Sequence, residues 1–213
     1  MTISAFMVAL PRPGEPAVPV LRLSVDQYHA MMEKGIVREG EPFEPIDGRI
    51  VCKNRAAARD DPTTIGDRHV WSVVKLGEVS RLLEPFGCHL RAQQPISIPP
   101  YDEPEPDGAI VVGTEDDYLH HKPAAGEILC VIEVSDSSLL YDRRVKGRTY
   151  ATAGLPLYVF LNLVDVVAEV YRLPGAMGGS YGPPDVLPKG QVLALPTATD
   201  TGVEVPVERL LPP

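Results

Sequence analysis

Cysteine is scarce in this chain of 213 residues: Cys52, Cys88 and Cys130 are all there is. They are dispersed and odd in number, and no C-x-x-C pair occurs. That excludes a disulfide framework or a zinc knuckle as the organising device and fits a reducing, cytoplasmic setting. Long apolar runs are also missing. The N-terminal run from Ile3 to Leu10 is too short to span a bilayer and follows no basic residue, so neither a membrane partner nor a signal peptide is expected. Basic residues are in deficit, with 20 Lys and Arg against 29 Asp and Glu and a formal net charge of -9. Non-specific nucleic-acid binding rests on cations meeting phosphates, so a general coating protein is excluded, while a local basic groove is not. No G-x-S-x-G elbow, P-loop or dinucleotide fingerprint occurs. No internal repeat is visible, and "GAMGGSYGPPD" reads as a loop between strands.

What is present is enough to build a core. Hydrophobic residues make up 44% of the chain, the right order for one substantial domain. Proline-rich residues 1–20 form an extended arm, 21–173 the core, and 174–213 a loop with closing strands packed on the same domain. Ser24 and Gln27 make a capping box for a helix that Gly35 ends. "FEPIDGRIVCKN" is a hairpin turning at Asp47-Gly48. A long helix lies within 63–86, with Val70, Val73, Val74, Leu76, Leu82 and Leu83 as its apolar stripe and Gly87 as its stop. Strands are expected near 88–93, 96–98, 109–112 and 128–134, then a helix from Asp136 or Ser137 to about Ala153. "LYVFLNL" and "VVAEVYRL" are further strands, and "QVLAL" and "VEVPVERLL" close the chain. Helices and strands in this order indicate an α/β or α+β layering.

One residue breaks the pattern. Glu133 stands inside "ILCVIEV", an otherwise apolar strand, and a charge buried there is costly unless it is paired or holds a metal. Asp107 stands where the "EPEPD" segment enters another buried strand. If the two strands are neighbours, the carboxylates converge, and Mg²⁺ favours such a pair with water and phosphate completing its shell. The ordinary readings are a turn for Asp107 and a cross-sheet ion pair for Glu133. On the following helix Asp142, Lys146 and Tyr150 are spaced by four and share a face that leans toward the Glu133 strand. Arg143, Arg144, Lys146 and Arg148 face only Asp142 in charge, so this segment is either a phosphate-facing patch or a solvated helix face. His69 opens the long helix, and His120-His121 lie in a polar loop without metal-site spacing.

"EPEPD", "VIEVSDSSLLYDRRVK" and "YATAGLPLY", with "LSVDQYHAMMEKGIV", "FEPIDGRIV" and "RAQQPISI" upstream, resemble the Uma-type family of restriction-endonuclease-like proteins in the PD-(D/E)xK nuclease superfamily. The resemblance spans roughly residues 20–173. It implies a restriction-endonuclease-like core, a central mixed β-sheet flanked by helices, and Mg²⁺- or Mn²⁺-dependent hydrolysis of phosphodiester bonds in DNA, often by a homodimer. By position, Asp107 and Glu133 are the acidic pair and metal ligands, with the Val134 carbonyl as a third ligand. The superfamily lysine normally follows the acid by two residues, where this chain has Ser135. Lys146 is then the lysine, supplied from the helix and oriented by Asp142. Glu44 is a further acid, Gln93 and His69 are supporting residues, and Arg143, Arg144 and Arg148 meet the substrate. The competing expectations are a non-catalytic binding protein that kept the fold and a hydrolase of another phosphorylated substrate.

Overall fold

The computed structural model describes residues 21–38, 40–53, 66–136, 139–173, 179–199 and 201–213. Expectations for the arm at 1–20, the polar segment at 54–65, a Ser137 cap and the Gly-rich stretch at 174–178 lie outside them.

Local chemistry sets the first elements. Ser24 Oγ accepts from the Gln27 N–H at 3.2 Å, and Gln27 Oε1 accepts from the Ser24 N–H at 2.9 Å, closing the capping box of α1 (Val25–Glu33). Asp47 (φ 53°) and Gly48 (φ 69°) take left-handed conformations between β1 (Phe43–Ile46) and β2 (Arg49–Cys52), as a two-residue hairpin turn of this twist demands. Gly87, at φ 68°, stops the 3₁₀ turn that ends α2 (Asp67–Leu83).

The centre is a six-stranded sheet in the order β3-β4-β5-β6-β7-β8. Its strands are β3 (Cys88–Ala92), β4 (Gly108–Val112), β5 (Ile128–Ser135), β6 (Leu157–Asn162), β7 (Val167–Arg172) and β8 (Asp185–Pro188). Only β5 and β6 run parallel, and the helical segment between them makes the crossover. A parallel pair at the centre is covered on both faces, which is why β5 and β6 read as continuous apolar runs rather than alternating ones. On one face Leu76, Val79 and Leu83 of α2 pack with Ile110, Ile132 and Val159, and Leu193, Leu195 and Val205 join the same cluster. The last three come from β9 (Val192–Leu195) and β10 (Val203–Pro206), a separate antiparallel pair. On the other face Ala109, Val111, Val131, Tyr158 and Phe160 pack with Tyr150 and Leu155.

Four expectations need correction. Val70 and Val74 are exposed, not part of the buried stripe, because α2 turns Ser72, Leu76, Val79 and Leu83 to the sheet. Ile96–Ile98 is not a strand: Ser97 and Ile98 make only isolated bridges, to Ala124 and Asp102. The segment before the terminal strands adds β8 to the main sheet, an edge strand that its short, proline-flanked sequence conceals. The helix after β5 is not uniform. It runs as α3 (Leu139–Tyr141), a π-turn (Asp142–Lys146) and α4 (Gly147–Thr152).

Gly48 has a second reason to lack a side chain, since a Cβ there would sit 2.6 Å from the Arg22 Cβ. Gly48→Ala should therefore cost about 1–2 kcal/mol in left-handed strain, before the clash is counted. In a domain of this size that lowers the melting temperature by at least about 2–4 °C, readable by thermal denaturation.

Candidate active site

Register brings the acids together. Gly108 pairs with Ile132 across antiparallel β4 and β5, so Asp107, one residue before Gly108, comes level with Glu133. Directly opposed residues of an antiparallel pair share a face. Asp107 Oδ2 accepts the Val134 N–H at 2.8 Å, which ties it to the end of β5. The carbonyl of Ser135 accepts from the Leu163 N–H on the β6 side at 2.9 Å. Backbone polar groups alternate in direction along a strand, so the Val134 carbonyl lies on the Asp107 side.

The lysine arrives from the crossover. Lys146 Nζ donates to Glu133 Oε1 at 3.0 Å and lies 3.5 Å from Glu44 Oε1. Tyr150, one turn on, donates its O–H to the same Glu133 oxygen at 2.6 Å. Both grips fall on Oε1 and leave Oε2 outside them. The π-turn makes this aim, because the Gly147 N–H bonds back to the Asp142 carbonyl five residues earlier. Such a turn carries one residue more than an α-helical turn, so Lys146 and the residues after it are rotated relative to Tyr141 from where regular α spacing would put them. Glu44 is anchored on its other oxygen, which accepts the Glu105 N–H at 3.0 Å.

His69, at the start of α2, approaches from the opposite face with Nε2 3.2 Å from Asp107 Oδ2. Gln93, held at φ 51°, donates Nε2–H to Asp107 Oδ1 at 3.4 Å. Asp107, Glu133, Lys146, Glu44, Gln93 and His69 are thus assembled. Asp142 is buried beside them on the π-turn. Arg143 is engaged elsewhere: Nε donates to Glu169 Oε2 at 2.9 Å, Nη2 pairs with Oε1, and the guanidinium lies over Phe160. Arg144 and Arg148 are exposed. Asn162, buried, accepts the N–H groups of Val164 and Asp165 at 3.1 and 3.0 Å and so shapes the β6–β7 turn. His120 and His121 remain in an exposed loop. Sequence reasoning passed over Tyr150 and Tyr141 as site residues. The i+4 spacing of Tyr150 from Lys146 was the available signal for the first, and the π-turn hides the second.

Charge dominates this cluster. Burial pushes the Glu133 carboxyl up to about 8, with Asp107 and Asp142 adding to the effect while Lys146 and Tyr150 oppose it. Burial likewise works against the charged lysine, but Glu133, Glu44, Asp142 and Asp107 outweigh it and hold Lys146 well above its ordinary range. For Asp107, burial is overcome by His69, Lys146 and the Val134 N–H, and its value is lowered. His69 is raised, since its bond to Asp107 outweighs burial. Four carboxyl groups therefore surround one lysine and one histidine, and the raised Glu133 marks a cluster short of positive charge.

A family model described as "Putative restriction endonuclease", Uma2, matches residues 25–208. The chain belongs to this family. No curated protein matches it. Among solved structures it is similar to a "putative nuclease belonging to DUF820" from Anabaena variabilis, with a TM-score of 0.58 at 12% identity, covering 88% of this chain and 97% of that one. At that identity the likeness speaks for the fold. Uma2 membership supports a nuclease-like function, and no helix among the described residues is long and apolar enough to cross a membrane.

Restriction-endonuclease-like families generally use divalent metals. Among the described residues no group of three or more His, Cys, Asp or Glu is arranged to hold a metal. The donors here are a carboxylate pair and a backbone carbonyl, all oxygen. That set suits a hard cation such as Mg²⁺, which takes one or two carboxylates and completes its shell with water and phosphate. The deficit of positive charge fits the same group.

The pKa directions set a pH dependence. A carboxyl raised in the folded chain binds its proton more tightly there. Its contribution to stability is whole below the ordinary carboxylate range and is lost as pH rises through about 8. The raised His69 acts in the same sense above its ordinary value, and the lowered Asp107 matters only in acid. Metal-free protein should therefore lose stability as pH rises from the ordinary carboxylate range to about 8, and Glu133→Gln should flatten that slope, leaving the share of His69. Denaturant melts across the pH series check this, and an unchanged slope in the variant counts against the assignment.

Proposed function

We propose that this protein is a nuclease that hydrolyses phosphodiester bonds in DNA with Mg²⁺ or Mn²⁺. The observation that carries the reading is the meeting of Asp107 and Glu133 at one level of adjacent strands, with Lys146 bonded to Glu133 from the crossover helix. Asp107, Glu133 and the Val134 carbonyl are the groups that would hold the cation. When bound, the cation supplies polarisation of a phosphate oxygen and a more acidic water.

The residues of the chain do the rest. Lys146 is kept charged by its carboxylate neighbours, so it donates hydrogen bonds and positive charge where the attacked phosphate gains negative charge. Tyr150 and Lys146 fix Glu133 through one oxygen and so orient the other. His69 and the Val134 N–H fix Asp107 in the same way. Glu44 holds the lysine from its far side. Arg144 and Arg148, exposed and four apart on the helix carrying Lys146, meet the phosphate backbone. Arg143 is left out of that role, because its guanidinium is committed to Glu169. The chain's formal net charge of -9 restricts binding to such a local patch and predicts a strong loss of affinity with salt.

Purified protein should cleave DNA only with Mg²⁺ or Mn²⁺, and either cation should raise its melting temperature. Asp107→Ala and Glu133→Ala should abolish both effects. Lys146→Met should lower kcat by about 10²–10³-fold. Cleavage that survives Asp107→Ala would belong to a contaminant. No cleavage and no metal-dependent stabilisation of the intact protein would leave the non-catalytic binding protein as the better reading.

A further inference from the structure

Among the described residues, the buried side-chain atoms without a hydrogen-bond partner include the hydroxyl of Tyr141. A buried O–H with nothing to bond costs folding free energy, and native chains rarely leave one without a use. The surroundings of Tyr141 make it more than a packing fault. After burial itself, the groups that act on it most are Glu44, Lys146, Asp142 and Glu133, the members of the site just described. It stands immediately before the π-turn that carries Lys146, and that lysine acts on it electrostatically.

The contrast with Tyr150 is informative. Both tyrosines come from the crossover helix and both approach Glu133. Tyr150 spends its O–H on Glu133 Oε1 at 2.6 Å. Tyr141 bonds neither Glu44 nor Glu133, although both carboxyl groups act on it electrostatically. Burial and Glu44 raise its pKa, so it stays protonated and can donate. The missing partner is thus an acceptor that enters the site from outside, beside Lys146 and the two strand carboxylates.

We propose that Tyr141 is a substrate-contacting residue whose hydroxyl donates a hydrogen bond to a non-bridging oxygen of the phosphodiester. The inference rests on the nuclease reading of this site and adds a second donor on the phosphate beside Lys146. The hydroxyl forms and breaks no covalent bond in this role. It orients the phosphate and gains strength as negative charge develops on that oxygen.

Tyr141→Phe tests it, because only the hydroxyl is removed. Three readouts are needed: the melting temperature of the metal-free protein, kcat and KM for Mn²⁺-dependent cleavage of a DNA duplex, and binding of the same duplex in Ca²⁺ by fluorescence anisotropy. The expected result is an unchanged or higher melting temperature, kcat lower by about 10–100-fold, and duplex binding weakened. A lower melting temperature would show that the hydroxyl has a structural partner and would overturn the proposal. A higher melting temperature with unchanged kcat and binding would also overturn it, leaving a buried water as the partner. If the wild-type protein neither cleaves nor binds the duplex, the nuclease reading fails and this inference fails with it. If the wild type cleaves and the variant equals it, only the role of Tyr141 falls.

Discussion

The cost of placing the Glu133 carboxylate inside a central strand organises this molecule. Strand β5 is covered on both faces, so the group is almost wholly removed from the surface. The chain answers with a lysine and a tyrosine brought in from the crossover, both on one oxygen of the carboxylate. To deliver Lys146 there, the crossover helix departs from α geometry for one turn. To keep Lys146 charged, Glu44 is fixed on the far side by a strand of the separate hairpin. Each of these features would be an unexplained expense alone. Together they form one electrostatic unit that remains poor in positive charge.

The same constraint explains why the site draws on so many parts of the chain. The hairpin, the start of α2, the end of β3, the entry to β4, the end of β5 and the crossover all contribute a side chain or a backbone group. None of these segments could hold the arrangement alone. Asp107 is oriented from the α2 face of the sheet and Glu133 from the other, so the two acids are fixed by independent layers. A carboxylate pair held in that way is prepared for a ligand that requires defined oxygen positions, as a divalent cation does.

Much of this was legible in the sequence where local chemistry decides structure. Ser24 with Gln27 announced α1, Asp47-Gly48 announced the hairpin, and an acid within "ILCVIEV" announced a site. The coming together of Asp107, Glu133 and Lys146 followed from strand adjacency and from the helix leaning toward its own N-terminus. What escaped was set by distant partners or by backbone phase. Arg143 looked available for phosphate because Glu169 lies on another strand, and counting local charge cannot reveal it. Val70 and Val74 looked buried because helical spacing gives a period but not the side on which the sheet will lie. Strand β8 is short and bounded by prolines, and it gains its place by pairing with β7. The π-turn leaves no compositional mark, so Tyr141 could not be assigned to the site from spacing alone.

That turn also has a genetic consequence. A π-turn is an α-helix carrying one surplus residue, and helices elsewhere in a protein can often lose or gain a surface residue near an end by sliding. Here the surplus sits in the turn that carries Lys146, so its loss falls on the residue that meets Glu133. Removing a single residue within 143–145 would restore ideal helical winding and lengthen no loop, yet it would carry Lys146 round the helix and away from Glu133. The crossover is therefore a gauge of length as well as a carrier of side chains, and a deletion that improves its local geometry would unmake the site.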